Sequence, residues 1–269
     1  MLNKIKQIYK DKERYKAVVC DLDGTLLHTT RAKIAVPGRT RSSFLCKDAA
    51  LLLKTISQIL PIVIATGRNA NSVYKLIREL PDVRFSGFVL ENGFVVKNSV
   101  DDRATYKPNL QNQQKNQVDW DKIAALFPDW ERLPFYENCA GFVFNFNKNE
   151  INSMTINEKA KYAQKILEQN GYNYPVYKEK RKVFIYLGNV DKTKGLALLG
   201  VNSYIAIGDG ENDIELLHKS SCPITLKSGY FKLQKIVEQK NGFCSIKQGH
   251  QAAVEMLECA YNLVRGFNS

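Results

Sequence analysis

The fold is decided by the stretch Val18-Val19-Cys20-Asp21-Leu22-Asp23-Gly24-Thr25-Leu26-Leu27, in which an apolar run stops at two carboxylates. A short apolar run bounded by a turn predicts a buried strand. Asp21 and Asp23 then project in similar directions, and Gly24 lets the backbone turn without a Cβ penalty. Open parallel sheets bind ligands outside the carboxyl ends of their strands, so both acids are candidates for chemistry. The alternative is a strand followed by a structural Asp-rich turn.

The composition is that of a globular protein. The chain has 269 residues, of which 44% are hydrophobic and 25% charged, which fits one large domain or two smaller ones. No apolar stretch approaches the roughly 20 residues that span a bilayer, and residues 1–16 lack the continuous apolar region of a secretory signal. The six cysteines show no C-x-x-C pair or metal-ligand spacing. We therefore expect a cytoplasmic protein with reduced thiols and no membrane partner.

The chain is strongly basic, with a formal net charge of +12. A basic surface can bind nucleic acid, anionic lipid or a negatively charged small substrate. The positive residues are distributed along the whole chain, and no nucleic-acid-binding signature accompanies them. A lysine-rich solvated surface explains them equally well, so we expect no nucleic-acid partner.

Strand-like and helix-like segments alternate near both ends of the chain. The strands are expected at residues 16–20, 61–65, 86–90 and 203–207, and the helices at 45–60, 69–79, 193–199, 213–219 and 251–264. Strands separated by helices predict βαβ units and a parallel sheet. We therefore predict a Rossmann-like α/β core formed by residues 1–90 and 190–269.

The middle of the chain has a different pattern. Residues 101–117 are polar and rich in Asn and Gln, as expected of a loop or linker. A helix is predicted at residues 158–169, followed by two paired strands at 172–177 and 182–187. Residues 91–189 are therefore predicted to form a small α+β domain inserted into the core.

Three further groups of polar residues fall at strand ends or helix starts. Thr66 and Gly67 follow the second strand, where a hydroxyl and backbone amides can hold an anionic oxygen. Lys194 precedes an apolar helix, and Asp209 and Asp213 follow the last strand. Each has a structural alternative, namely a turn threonine, a surface lysine or an N-cap aspartate. Their common placement at one edge of an α/β sheet favours a functional site.

With these residues identified, the chain resembles the phosphatases of the haloacid dehalogenase superfamily, specifically the Cof-like IIB subfamily with a C2-type cap domain. The superfamily's first motif, D-x-D-G-T-L, matches Asp21 to Leu26. The second matches Thr66 to Arg68, the third Lys194-Gly195, and the fourth Gly208 to Asp213. The Glu91-Asn92-Gly93 sequence is similar to the subfamily's usual transition into the cap.

The resemblance implies phosphate-monoester hydrolysis through an aspartyl-phosphate, which replaces one difficult step by two easier ones. Asp21 would be the nucleophile, Asp23 the general acid and then base, and Lys194 the cation that neutralises the phosphate. Mg²⁺ is the implied cofactor, since it prefers oxygen ligands. The implied metal ligands are Asp21, the backbone carbonyl of Asp23, Asp209 and Asp213; the implied substrate-binding residues are Thr66, Gly67, Lys194 and Asn212.

Two lysines compete for the third motif. Lys192 lies two residues before Lys194, but only Lys194 immediately precedes Gly195 and the apolar helix. We therefore expect Lys194 in the site.

The expected partner is a small phosphate ester, with a sugar phosphate favoured. The intact Asp23 argues against the dehalogenase and phosphonatase branches of the superfamily. A phosphomutase of the phosphomannomutase type shares the core and the cap style, and a non-catalytic binding protein could retain the fold. Both remain alternatives.

Overall fold

The computed structural model describes residues 15–38, 41–98, 118–144, 154–179 and 181–266. The chain divides into two compact units, one formed by Met1–Pro108 with Asp191–Ser269 and the other by Asn109–Val190. The loop predicted at residues 101–117 lies outside the described residues.

The first unit is built on a seven-stranded sheet with flanking helices. Its elements are β1 (Ala17–Cys20), β2 (Ile34–Val36), β3 (Ser43–Leu45), α1 (Lys47–Ser57), β4 (Ile62–Ala65), α2 (Ala70–Arg78), β5 (Phe85–Leu90), β6 (Val95–Lys97), α5 (Lys192–Leu198), β11 (Tyr204–Ile207), α6 (Ile214–Lys219), β12 (Cys222–Leu226), α7 (Phe231–Gln239), β13 (Phe243–Ser245) and α8 (Gly249–Arg265). The helices and strands between β6 and α5 belong to the second unit.

The strand order of the large sheet is β13-β12-β11-β1-β4-β5-β6. Its strands are parallel except β6, which pairs antiparallel with β5. The predicted α/β fold with a parallel sheet is confirmed. The inserted domain was predicted to begin at residue 91. β6 (Val95–Lys97) lies after that residue but pairs with β5 and belongs to the large sheet.

The sheet is covered by helices on both faces, as parallel sheets usually are. In β1 the side chains of Val18 and Cys20 belong to one hydrophobic cluster, together with residues of α1, α2 and α8. Those of Ala17 and Val19 belong to a second cluster, with residues of α5, α6 and α7. Because alternate residues of a strand face opposite sides, both faces of β1 are apolar. This explains why its sequence is a continuous apolar run.

The described part of the second unit contains a four-stranded antiparallel sheet and two helices. Its elements are α3 (Trp120–Ala125), β7 (Glu131–Arg132), β8 (Cys139–Val143), α4 (Ile156–Gln169), β9 (Val176–Glu179) and β10 (Lys182–Tyr186), and the strand order is β7-β8-β10-β9. The apolar residues of α3 and α4 pack on β8 and β10 in a third cluster. The predicted α+β character of this segment is confirmed.

α8 spans 17 residues, and among the helices in the described ranges none is both long and apolar enough to cross a membrane.

Candidate active site

The site lies where three neighbouring strands of the large sheet end. Cys20, the last residue of β1, is in register with Ile64 of β4 and with Ile207 of β11. The strands are parallel, so the segments that follow them emerge at the same edge of the sheet. Asp21 directly follows β1, and Thr66 directly follows β4.

A buried lysine joins two of the predicted acids. The Nζ atom of Lys192 lies 2.7 Å from Oδ1 of Asp21 and 2.7 Å from Oδ1 of Asp213. The side chains of Lys192 and Asp213 are fully buried. The second oxygen of Asp213 accepts hydrogen bonds from the backbone N–H groups of Asp209, at 3.1 Å, and Gly210, at 3.0 Å. The position of Asp213 is therefore fixed through both of its oxygens.

The charges of this cluster depend on each other. Burial alone lowers the pKa of Lys192, but the carboxylates of Asp21 and Asp213 raise it above its ordinary value, so the amine stays protonated. Burial raises the pKa of the Asp21 carboxyl well above its usual range, whereas the Lys192 ammonium lowers it. The neighbouring acids, Asp213 and Asp209, also raise it. Lys192 is thus the group that favours the ionised form of Asp21.

The prediction of Lys194 as the lysine of this cluster is corrected by this geometry. α5 begins at Lys192, with Asp191 as its N-cap, one residue earlier than predicted. Residues two apart on a helix point about 200° apart, so Lys192 and Lys194 point in nearly opposite directions. Lys194 is exposed.

A signal in the sequence could have identified Lys192. The buried residues of α5 are Lys192, Gly195 and Leu196, a spacing of i, i+3, i+4 that defines one helix face. A Cβ atom at Gly195 would lie 2.6 Å from Cγ1 of Val89, so the glycine is needed for close packing against β5. Gly195 therefore marks the buried face of the helix, to which Lys192 belongs.

Three carboxylates in the site can approach a common point. Asp21, Asp209 and Asp213 each offer an oxygen, and these oxygens lie within 4.8 Å of one another. Oxygen donors of this type suit Mg²⁺, so the donor set fits the expected cofactor.

The first motif also shapes this acidic cluster. Thr25 donates a hydrogen bond of 2.8 Å from Oγ1 to Oδ1 of Asp209. Gly24 has φ +100, and a Cβ atom there would lie 2.2 Å from Oδ2 of Asp209. Gly24 is therefore required both by its backbone conformation and by the close approach of Asp209.

The second acid of the first motif is held by an arginine that had no assigned role in the sequence prediction. Arg68 donates from Nε to Oδ2 of Asp23 and from Nη2 to Oδ1, both at 2.6 Å. Nη2 also donates to Oγ of Ser43 at 3.0 Å. The Arg68 and Asp23 side chains are 13% and 25% exposed. The bidentate pair fixes the orientation of the Asp23 carboxylate.

The remaining predicted binding residues lie around the end of β4. Thr66 is 1% exposed, and its Oγ1 accepts a hydrogen bond of 3.2 Å from the backbone N–H of Arg68. Asn212 donates from Nδ2 to Oδ1 of Asn92 at 2.8 Å. A Cβ atom at Gly67 would lie 3.1 Å from the side-chain amide of Asn92. Gly67 and Asn212 therefore contact a common residue, Asn92.

The sequence matches the haloacid dehalogenase-like hydrolase family over residues 18–120 and 136–239. The chain belongs to this family, and the predicted superfamily is confirmed together with the class of enzyme, a hydrolase.

Individual relatives span nearly the whole chain. It is 26% identical over 261 residues to a phosphoglycolate phosphatase of Methanosarcina acetivorans, covering 91% of this chain and 97% of that protein. Among solved structures, a Thermoplasma acidophilum protein is 14% identical, with a TM-score of 0.65 and coverage of 93% and 100%. The sucrose-phosphatase of Synechocystis, solved with sucrose and phosphate, is 13% identical, with a TM-score of 0.60 and coverage of 93% and 98%. These structures share the fold.

Proposed function

We propose that the protein is a Mg²⁺-dependent phosphatase that hydrolyses a small organic phosphate monoester, with a sugar phosphate as the favoured substrate, through an aspartyl-phosphate. The observation that carries this proposal is the contact of Asp21 with the buried Lys192 at the end of β1. An acid at a strand end, with a fixed cation beside it and further acids nearby, suits attack on an anionic phosphate.

Asp21 acts as the nucleophile. Its carboxylate must be ionised to attack phosphorus; burial raises the pKa of Asp21, and the Lys192 ammonium opposes that shift. The same ammonium offsets the negative charge that the phosphate brings next to Asp21. We therefore assign to Lys192 the role that the sequence prediction gave to Lys194.

Asp23 transfers protons. It protonates the oxygen of the leaving alcohol, and then accepts a proton from the water that hydrolyses the aspartyl-phosphate. Arg68 holds this carboxylate in one orientation through two hydrogen bonds. A fixed orientation matters because proton transfer requires the carboxylate oxygen within hydrogen-bond distance of the reacting oxygen.

The other predicted residues bind the phosphate or the metal. Asp21, Asp209, Asp213 and the backbone carbonyl of Asp23 would hold Mg²⁺, which when bound supplies positive charge for the approach of two anions. Thr66 and the backbone at Gly67 would position the phosphoryl oxygens, and Asn212 would help to orient them.

The substrate class is inferred from chemistry and from relatives. The M. acetivorans relative is a phosphoglycolate phosphatase and the Synechocystis structure a sucrose-phosphatase, so both are phosphatases of small phosphate esters. We place the protein in the cytoplasm, because its six cysteines are thiols and not disulfides, as reducing compartments maintain them.

A screen of phosphorylated metabolites with Mg²⁺ tests this function. Sugar phosphates and phosphoglycolate are incubated with the protein, and both inorganic phosphate and isomeric products are measured. The Asp21→Asn variant serves as the blank. We expect release of inorganic phosphate from at least one small ester. Isomer formation without phosphate release would instead identify a phosphomutase, and turnover of no substrate would contradict both.

A further inference from the structure

The turn Glu91–Gly93 lies at the end of β5 and has no part in the chemistry described above. Its three residues are buried, and Asn92 is 4% exposed. Asn92 has φ 56 and ψ 32, in the left-handed region that favours Gly and Asn over other residues. A buried polar residue in this conformation requires compensating contacts.

Asn92 is hydrogen-bonded to three separate segments of the site. Its backbone N–H donates to the carbonyl of Thr66 at 3.0 Å, and its carbonyl accepts from the N–H of Asp191 at 3.2 Å. Its side-chain Oδ1 accepts from Nδ2 of Asn212 at 2.8 Å. One residue thus links the end of β4, the start of the helix that carries Lys192, and the loop after β11.

Close packing leaves these contacts little freedom. A Cβ atom at Gly93, which has φ +107, would lie 2.3 Å from the carbonyl oxygen of Asp191. The backbone before Lys192 therefore passes directly over the turn. The side chain of Asn92 is also closely packed: a Cβ atom at Gly67 would lie 3.1 Å from its amide group. The amide is therefore confined between Gly67 and Asn212.

We propose that Asn92 is a positioning residue for the phosphatase reaction, and this inference rests on the proposed function. The backbone of Asn92 keeps Thr66 and the start of α5 at a fixed separation. Its side chain orients the Asn212 amide toward the phosphate. Because it acts through Asn212, its side chain contributes to catalysis only while Asn212 is present.

A double-mutant cycle separates this role from a general effect on folding. Asn92→Gly removes the side-chain amide but tolerates the left-handed backbone. It is compared with Asn212→Ala and with the double variant, using kcat and KM for p-nitrophenyl phosphate with Mg²⁺, and Tm for stability. The control is Asn241→Gly, because Asn241 also has positive φ, 53, but is exposed after α7.

We expect kcat/KM to fall about tenfold in Asn92→Gly, by analogy with residues that orient ligating groups. The same substitution in the Asn212→Ala background should have little further effect, because the interacting pair is already broken. Asn241→Gly should match the wild type. If Asn92→Gly does not fold, the cycle is repeated with Asn92→Ser, whose side chain is too short to accept the hydrogen bond from Asn212.

Two outcomes would overturn the positioning role. One is wild-type kcat/KM in Asn92→Gly, and the other is an equal loss with and without Asn212, which indicates a structural effect alone. Failure of the proposed function is recognised separately, because the wild-type protein would then release no phosphate. That result would also contradict the positioning role of Asn92.

Discussion

The ammonium group of Lys192 bridges Asp21 and Asp213, with Nζ 2.7 Å from one oxygen of each carboxylate. Asp21 directly follows β1, Asp213 closes the turn Glu211–Asp213 after β11, and Lys192 begins α5. Removing one partner of a buried ion pair leaves an uncompensated charge and lowers the free energy of unfolding by about 3–5 kcal/mol. The lysine therefore supports both the structure of the acidic cluster and the ionised form of Asp21.

Replacing Lys192 should strongly reduce turnover. In Lys192→Met the two buried carboxylates lose their shared cation, so we expect kcat for p-nitrophenyl phosphate to fall by about 10²–10³ or more, and Tm to fall as well. Lys194→Met is the matched control, because Lys194 lies two residues away and is exposed. Normal turnover in Lys192→Met with loss of turnover in Lys194→Met would reverse the assignment.

Arg68→Lys should impair proton transfer while preserving the positive charge. A lysine cannot reproduce the two parallel hydrogen bonds that Arg68 makes to Asp23. We expect kcat to fall about tenfold, with an altered pH profile of kcat. The exposed Arg84 provides the control Arg84→Lys, which should leave the profile unchanged. An unaltered profile in Arg68→Lys would show that Arg68 does not orient Asp23.

Gly24→Ala should disrupt the acidic cluster. The new methyl group would lie 2.2 Å from a carboxylate oxygen of Asp209, so Asp209 must move. We expect phosphatase activity to be lost. Gly171→Ala is the control, because Gly171 also has positive φ, +77, but has nothing within 4 Å of an added Cβ. The Gly171→Ala variant should have a free energy of unfolding about 1 kcal/mol lower than the wild type and should retain phosphatase activity. Equal activities of the two variants would contradict the predicted clash.

Magnesium should stabilise the folded protein. A ligand that binds only the native state adds about 2.7 kcal/mol at a concentration of 100 Kd, so Tm should rise with Mg²⁺ concentration. In Asp209→Asn this shift should be greatly reduced. Asp82→Asn is the control, because Asp82 is paired with Lys54 on the surface. A full shift in Asp209→Asn would show that Mg²⁺ binds elsewhere.

The parts of the site that could be predicted from the sequence are those encoded locally. Asp21 directly follows β1 and Asp209 lies two residues after the end of β11, so their placement depends only on recognising the strand and its end. Lys194 was expected in the site because it immediately precedes Gly195, but the buried face of α5 has i, i+3, i+4 spacing and consists of Lys192, Gly195 and Leu196. The contact of Arg68 with Asp23 joins residues 45 positions apart, and no local pattern indicates it.

The same reasoning applies to the fold. The central strands β1, β4 and β11 were predicted because both of their faces are apolar. β12, α7 and β13 were not predicted, since β12 contains Pro223 and Thr225, which interrupt its apolar run. Its buried side chains depend on packing against α7 and α8, which a local pattern does not reveal.

The most direct test of the central claim is phosphate release from p-nitrophenyl phosphate by Asp21→Asn in the presence of Mg²⁺, compared with the wild type. The amide is nearly isosteric with the carboxylate but cannot attack phosphorus. We predict Mg²⁺-dependent release by the wild type and release at the rate of the buffer blank by a folded Asp21→Asn variant. Undiminished release by Asp21→Asn would contradict the assignment of Asp21 as the nucleophile.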